Sequence, residues 1–150
     1  MKNAFSMIEL IFVIVILGIL ASVALPKLNA TRVDAQISKG RADLSAIRSA
    51  IVSDRQAHLI KGDSHWISGL AQNSTTLFDT NGSDDRTLLM YGLASATTSG
   101  HWSVASDDDG NYTKFVFKVG EDDCEFEYDN TKGKITLKSS QPAICDALVK

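Results

Sequence analysis

Phe5-Ser6-Met7-Ile8-Glu9 leads directly into Leu10-Ile11-Phe12-Val13-Ile14-Val15-Ile16-Leu17-Gly18-Ile19-Leu20-Ala21, an apolar run headed by a single carboxylate. From Phe5 to Leu25 there are 21 residues, and only Ser6, Glu9 and Ser22 are strongly polar. As a helix rising about 1.5 Å per residue the segment spans roughly 31 Å, the thickness of a bilayer's hydrocarbon core. An acid in such a segment costs on the order of a few kcal/mol at the centre and less near an edge, so it generally serves a function. The partner that suits Glu9 is a cation arriving from outside its own helix, which points towards assembly.

Working outward, Pro26 removes only the backbone bond to the Ser22 carbonyl, and a proline kinks a long helix more often than it ends one. Beyond it Ala30, Val33, Ile37, Gly40, Leu44, Ile47 and Ile51 recur at spacings of three and four. That spacing is an apolar stripe on one helix face. Arg32, Asp34, Lys39, Arg41, Asp43 and Arg48 fall off it. The pattern predicts one helix from about Phe5 to about Ile60, ended by Gly62 and Asp63. Residues 62–100 are rich in Ser, Thr, Gly, Asn and Asp. They read as a long connection with a short strand or helical turn around Leu88–Leu93, anchored to the core by Trp66, Ile67, Leu70, Leu77 and Phe78.

After Gly100 the period becomes two. His101–Ser106 and Tyr112–Val119 flank Asp107-Asp108-Asp109-Gly110-Asn111, a strong turn signal. Phe115, Phe117 and Val119 share one face, and Cys124, Phe126 and Tyr128 alternate with Glu125, Glu127 and Asp129. After Asn130-Thr131-Lys132-Gly133, Ile135 and Leu137 alternate with Lys134, Thr136 and Lys138. An outward acidic strand between two Lys-bearing strands predicts cross-strand charge pairs. The fold class is therefore α+β: a long N-terminal helix, membrane-spanning in its first half and amphipathic in its second, packed on a small antiparallel C-terminal sheet.

The 150 residues allow one modest domain plus an anchoring helix. A net charge of −3 gives no electrostatic case for nucleic acid, and no basic aromatic patch supports direct binding to it. Cys124 and Cys145 are the only cysteines. In a reducing compartment they would be small hydrophobes, and two ligands are too few to define a structural zinc site. Facing an oxidising space they form a disulfide, whose loop closure is worth about 3 kcal/mol in the chain-entropy model. Two other readings of the N-terminus exist. Ser22-Val23-Ala24 suits signal peptidase, giving a secreted protein with a cleaved signal peptide, and a plain single-pass anchor gives a membrane-anchored periplasmic binding or sensor protein. The first is opposed by Glu9 and by the length of the run, and the second leaves Glu9 unexplained.

Lys2-Asn3-Ala4 followed by Phe5-Ser6-Met7-Ile8-Glu9-Leu10-Ile11 resembles the start of a type IV prepilin or type II secretion pseudopilin. In that family a short basic leader is removed by prepilin peptidase, the exposed Phe is N-methylated, a Glu is fifth in the mature chain, and a Gly and a Pro follow. Phe5, Glu9, Gly18 and Pro26 stand at the matching offsets. The leader normally ends in Gly, where this chain has Ala4. The resemblance implies a leader at 1–4, a transmembrane and assembly helix at 5–25, and a pilin-like periplasmic head at 26–150. The head comprises helix 26–61, connection 62–100, and sheet with C-terminal loop 101–150. It implies a structural subunit of a type IV pilus or type II secretion pseudopilus, first a single-pass protein of the bacterial inner membrane and then part of the filament. Its partners would be copies of itself, other pilin-like subunits, prepilin peptidase, an inner-membrane platform protein and an assembly ATPase.

Catalytic signatures are missing: His58, His65 and His101 are scattered, and no HExxH, GxSxG or phosphate loop occurs. The chain reads as a non-enzyme without a cofactor. Asp107 and Asp109 are weak calcium candidates, because some major pseudopilins bind calcium near the end of the head, but their spacing fails the EF-hand template. Asp84-Asp85 carries less weight. Asp79-Thr80-Asn81-Gly82-Ser83 and Asp109-Gly110-Asn111-Tyr112-Thr113 fit the bacterial N-glycosylation acceptor, making Asn81 and Asn111 candidates on expected exposed turns. The sharpest expectation concerns processing: the mature chain begins with N-methylated Phe5. Intact mass or Edman sequencing checks it, and a chain starting at Leu25 or retaining Met1 contradicts it.

Overall fold

The computed structural model describes residues 6–71, 74–81, 86–108 and 111–150. Helix α1 spans Met7–Ile60, matching the predicted extent and continuing through Pro26. It ends as the Gly62-Asp63 pair predicts. Gly62 has φ +85°, its N–H donates to Leu59 O at 3.1 Å, and the Asp63 N–H reaches back to His58 O at 3.0 Å. This is the Schellman closure, for which a residue without Cβ is best suited. The chain divides into two compact units, Met1–Ala35 and Gln36–Lys150.

In the second unit four strands form an antiparallel meander in sequence order. They are β5 (Trp102–Asp108), β6 (Asn111–Val119), β7 (Asp122–Asp129) and β8 (Lys134–Leu137). The alternation sets their faces: Trp102, Phe115, Phe117, Val119, Cys124, Phe126, Tyr128 and Ile135 are all buried. The outer face carries the predicted charge pairs, Lys118 to Asp123 at 2.8 Å and Lys138 to Glu125 at 2.7 Å. β5 and β6 reach closer to the turn than expected, pairing Asp108 with Asn111, with register shifts on either side of Ser106. Such irregularities raise the local twist and blunt an edge strand.

The stripe of α1 packs on this sheet. Leu44, Ile47 and Ile51 are buried, and so is the sheet's aromatic cluster, in which Trp102 lies with its ring centroid 5.0 Å from that of Phe117 and 5.2 Å from that of Phe126. At Gly40 the approach is closest: a Cβ there would sit 2.6 Å from Phe117 Cε1 and 2.7 Å from Leu148 Cδ2. Polar bonds fix the register of helix on sheet. Trp102 Nε1 donates to Asp43 Oδ2 at 3.1 Å, Lys39 Nζ to Gly100 O at 2.7 Å, and both Ser99 Oγ and the Gly120 N–H donate to Gln36 Oε1 at 2.8 Å. The buried Tyr128 hydroxyl donates to Ile67 O at 2.8 Å, and burial pushes its phenol well above the ordinary range.

The connection differs from expectation in detail. It carries four two-residue strands, β1 (Thr76–Leu77), β2 (Thr80–Asn81), β3 (Arg86–Thr87) and β4 (Leu93–Ala94). They pair as β1 with β4 and β2 with β3. Of the short strand or helical turn expected around Leu88–Leu93, the strand is found at Leu93, in β4, while residues 88–92 hold neither; Leu88 and Leu89 donate to Asp79 O and Phe78 O and bend the chain back. Ile67, Leu70, Leu77 and Phe78 are core anchors as expected. Trp66 is not, being only half-buried with the Arg55 guanidinium 3.9 Å from its ring centroid.

Sequence reading missed Arg86, which is 4% exposed. It lies 3.7 Å from Asp54 Oδ2, 3.3 Å from Asp63 Oδ2, and donates to His65 O. The His65 backbone and ring N–H groups, with Arg86 beside them, hold the Asp63 carboxyl below its usual range. The C-terminal segment, expected as a loop, contains the short helix α2 (Ala143–Asp146). The expected disulfide joins Cys124 on β7 to Cys145 on α2, with Cα atoms 5.5 Å apart.

Overpacking a filled core costs about 1–3 kcal/mol and at times more, and Gly40 has no room for a side chain. Gly40→Leu should therefore lower head stability by at least that amount. Urea unfolding of the detergent-solubilised chain, followed by near-ultraviolet circular dichroism, checks it. Ser45→Leu on the exposed side of the same helix should shift the midpoint by less than about 0.5 kcal/mol.

Candidate functional site

The candidate site is the first part of α1. Ala4 and Phe5, the expected cleavage junction, lie outside the described residues. Ser6 precedes the helix, and its carbonyl accepts from the Glu9 N–H at 3.1 Å and the Leu10 N–H at 3.2 Å. One Glu9 carboxylate oxygen in turn accepts the Ser6 N–H at 3.4 Å. This is half of a capping box, in which a residue three positions into the helix reaches back to the N-cap. The Ser-x-x-Glu spacing was there in the sequence to be read. A carboxylate in the first turn also faces the positive end of the helix dipole, worth about 0.3–1 kcal/mol at an exposed position. Glu9 thus has one weak local bond, and among the described residues no cation pairs with it.

The other polar side chain of the span is satisfied locally, Ser22 Oγ donating to Ile19 O at 2.7 Å. Everything else on the surface is apolar. Met7, Phe12, Leu17, Leu20, Val23 and Leu28 are each more than half exposed. An 18-residue window of α1 is apolar enough to cross a membrane, and 0% of it is buried by the chain itself. Gly18 leaves a notch in this surface, with nothing within 4 Å of where a Cβ would stand. Pro26 lies within the helix. Structure thus places Glu9, Gly18 and Pro26 on one continuous helix and adds Ser6 to the set.

The candidates in the head are placed less distinctively. Asp107 lies in β5, and Asp109, Asp84 and Asp85 lie outside the described residues. No group of three or more His, Cys, Asp or Glu side chains able to hold a metal occurs among the described residues. Asn81 and Asn111 were expected on turns but belong to strands, Asn81 pairing with Arg86 and Asn111 with Asp108. His58 contacts Asp54, His65 contacts Asp63, and His101 contacts Thr98, so the three imidazoles do not converge.

Residues 1–25 match the prokaryotic N-terminal methylation motif. The chain thus carries the prepilin motif of the type IV pilin and pseudopilin class, on a helix of membrane-spanning composition with an α+β, disulfide-bonded head behind it. No curated protein and no solved structure matches the chain.

The Ser6–Glu9 bond gives a direct test of the local role. In micelles Glu9→Ala should speed hydrogen exchange of the Ser6 amide several-fold, consistent with a bond worth about 1 kcal/mol or less. Glu9→Gln, whose amide oxygen accepts the same bond, should keep the protection. Equal exchange in all three chains contradicts a capping role.

Proposed function

We propose that this chain is a structural subunit of a type IV pilus or type II secretion pseudopilus, polymerising through its N-terminal helix after prepilin peptidase has cut before Phe5. The observation that carries this reading is a membrane-length helix whose apolar window none of the described residues covers, with a carboxylate in its first turn that pairs with no cation among them. In the bilayer, lipid covers that surface. In a filament, the helices of neighbouring subunits replace lipid, and the α-amino group freed at Phe5 of one subunit neutralises Glu9 of the next. The charge supplies register, since van der Waals packing of Leu, Ile and Val against one another tolerates many offsets.

The chain would first sit in the inner membrane with its head in the periplasm, where an oxidising environment suits the Cys124–Cys145 bond. Prepilin peptidase, an inner-membrane platform protein, an assembly ATPase and other pilin-like subunits are the partners this requires. The reading needs no catalytic group and no cofactor.

Removing one partner of a buried ion pair leaves the other charge uncompensated, a loss of about 3–5 kcal/mol. Glu9→Leu should insert into the membrane at least as well as the wild type yet yield no sheared filaments. Glu9→Gln, which keeps the helix cap but not the charge, should be intermediate at best. Filament yield by shearing and immunoblot, set beside membrane fractionation, checks both. Wild-type yield from Glu9→Leu refutes the proposal.

A further inference from the structure

A second feature, on the head, involves none of the assembly residues. The indole of Trp66 is the seat of a cation: the Arg55 guanidinium lies 3.9 Å from the ring centroid. Gly133, at φ +65°, brings its backbone so close to the same ring that any Cβ would collide with it. The stack is therefore built by three separated parts of the chain, at Arg55, Trp66 and Gly133. Among the described residues Arg55 makes no ion pair, while several acids of the head have cations of their own. Asp54 and Asp63 face Arg86, and Asp129 is bonded to Lys132 at 2.8 Å. Among the described residues Arg55 is thus a stacked positive charge without a counter-charge.

It opens on a recess of about 510 Å³ lined also by Ser64, His65, Ser68, Asn130 and Thr131. The volume lies within the usual range for small-molecule sites. Its walls combine the apolar face of Trp66 with hydroxyl, amide and imidazole groups. Asn130 uses one amide N–H on Ser68 O at 3.4 Å, which leaves the second for a ligand. His65 turns Nδ1 to Asp63 at 2.9 Å, which leaves Nε2. A stacked guanidinium presents its N–H fork edge-on, the geometry that matches a carboxylate or phosphate with two bonds. Polar walls that could pair with hydroxyls would be left unmatched by an aliphatic acid, and such mismatches are strongly disfavoured.

We propose that this recess binds an oxyanion carried on a small hydroxyl-rich molecule, a sugar acid or a sugar phosphate, with Arg55 as its anion-binding residue. The proposal is independent of filament assembly, since a single chain contains the whole site.

The test is a proton–nitrogen NMR titration of the full chain in micelles, with the Trp66 indole N–H as reporter. The probes are glucuronate, glucose 6-phosphate, glucose and inorganic phosphate. Glucuronate or glucose 6-phosphate should give saturable shifts at Trp66 with a Kd of about 1–10 mM, as suits an open site that must offset association entropy. Whichever binds more tightly identifies the anion as carboxylate or phosphate. Arg55→Gln should raise that Kd about tenfold or more, the loss expected for a charge-assisted hydrogen bond. Ser64→Trp, which fills the recess and leaves the Arg55–Trp66 stack in place, should do the same and guards against misfolding in the first variant. The proposal is overturned if neither anion saturates, if glucose or inorganic phosphate binds as well as its anionic-sugar counterpart, or if Ser64→Trp binds like the wild type.

Discussion

The head depends on one close approach, that of α1 to β6 at Gly40. Because residue 40 has no side chain, the helix sits low enough on the sheet for the Phe117 ring and Leu148 to fill the space above the glycine. On the turns that follow, Leu44, Ile47 and Ile51 are buried in the core. Burying each such side chain contributes about 1.5–3 kcal/mol. The same depth brings Asp43, Lys39 and Gln36 within hydrogen-bond reach of Trp102, Gly100 and Gly120. Leu148 belongs to the C-terminal tail, which the Cys124–Cys145 bond ties to β7. Helix, sheet and tail thus meet around a single missing Cβ.

The first part of α1 obeys the opposite rule. Its large side chains are exposed, so the chain does not by itself satisfy the hydrophobic effect there. In the proposed reading lipid or other helices cover that surface, and Glu9 distinguishes the two. A carboxylate near a membrane edge is tolerable, and its bond to Ser6 lowers the cost further. A carboxylate among packed helices needs a cation. The capping bond and an assembly role are compatible, because a carboxylate has two oxygens and several lone pairs while Ser6 occupies only one.

The connection between helix and sheet shows how a polar stretch becomes ordered without long strands. Two small ladders and the bend of residues 88–92 tie the connection to itself, the Arg86–Asp54 pair ties it to α1, and Ile67, Leu70, Leu77 and Phe78 lie in the core. The buried Arg86 is flanked by carboxylates on both sides, which offsets the desolvation that a lone buried cation would suffer.

Local pattern was enough for much of this. Three- and four-residue spacing defined α1 and its inward stripe, Gly62-Asp63 its end, two-residue alternation the meander and its buried face, and the presence of only two cysteines their pairing. Each of these is fixed by neighbours within a few residues or by a count. The prepilin motif was legible for the same reason, being contiguous, and so in principle was the Ser6–Glu9 cap. The tertiary structure alone decided why residue 40 is glycine, why Trp66 stays half-buried under Arg55, and where Arg86 hides. Gly40 meets Phe117 and Leu148, Trp66 meets Arg55 and Gly133, and Arg86 meets Asp54 and Asp63. These partners lie from about ten to about a hundred residues apart. Nothing in a window of sequence specifies such meetings, because they follow from how the helix and the sheet settle on one another.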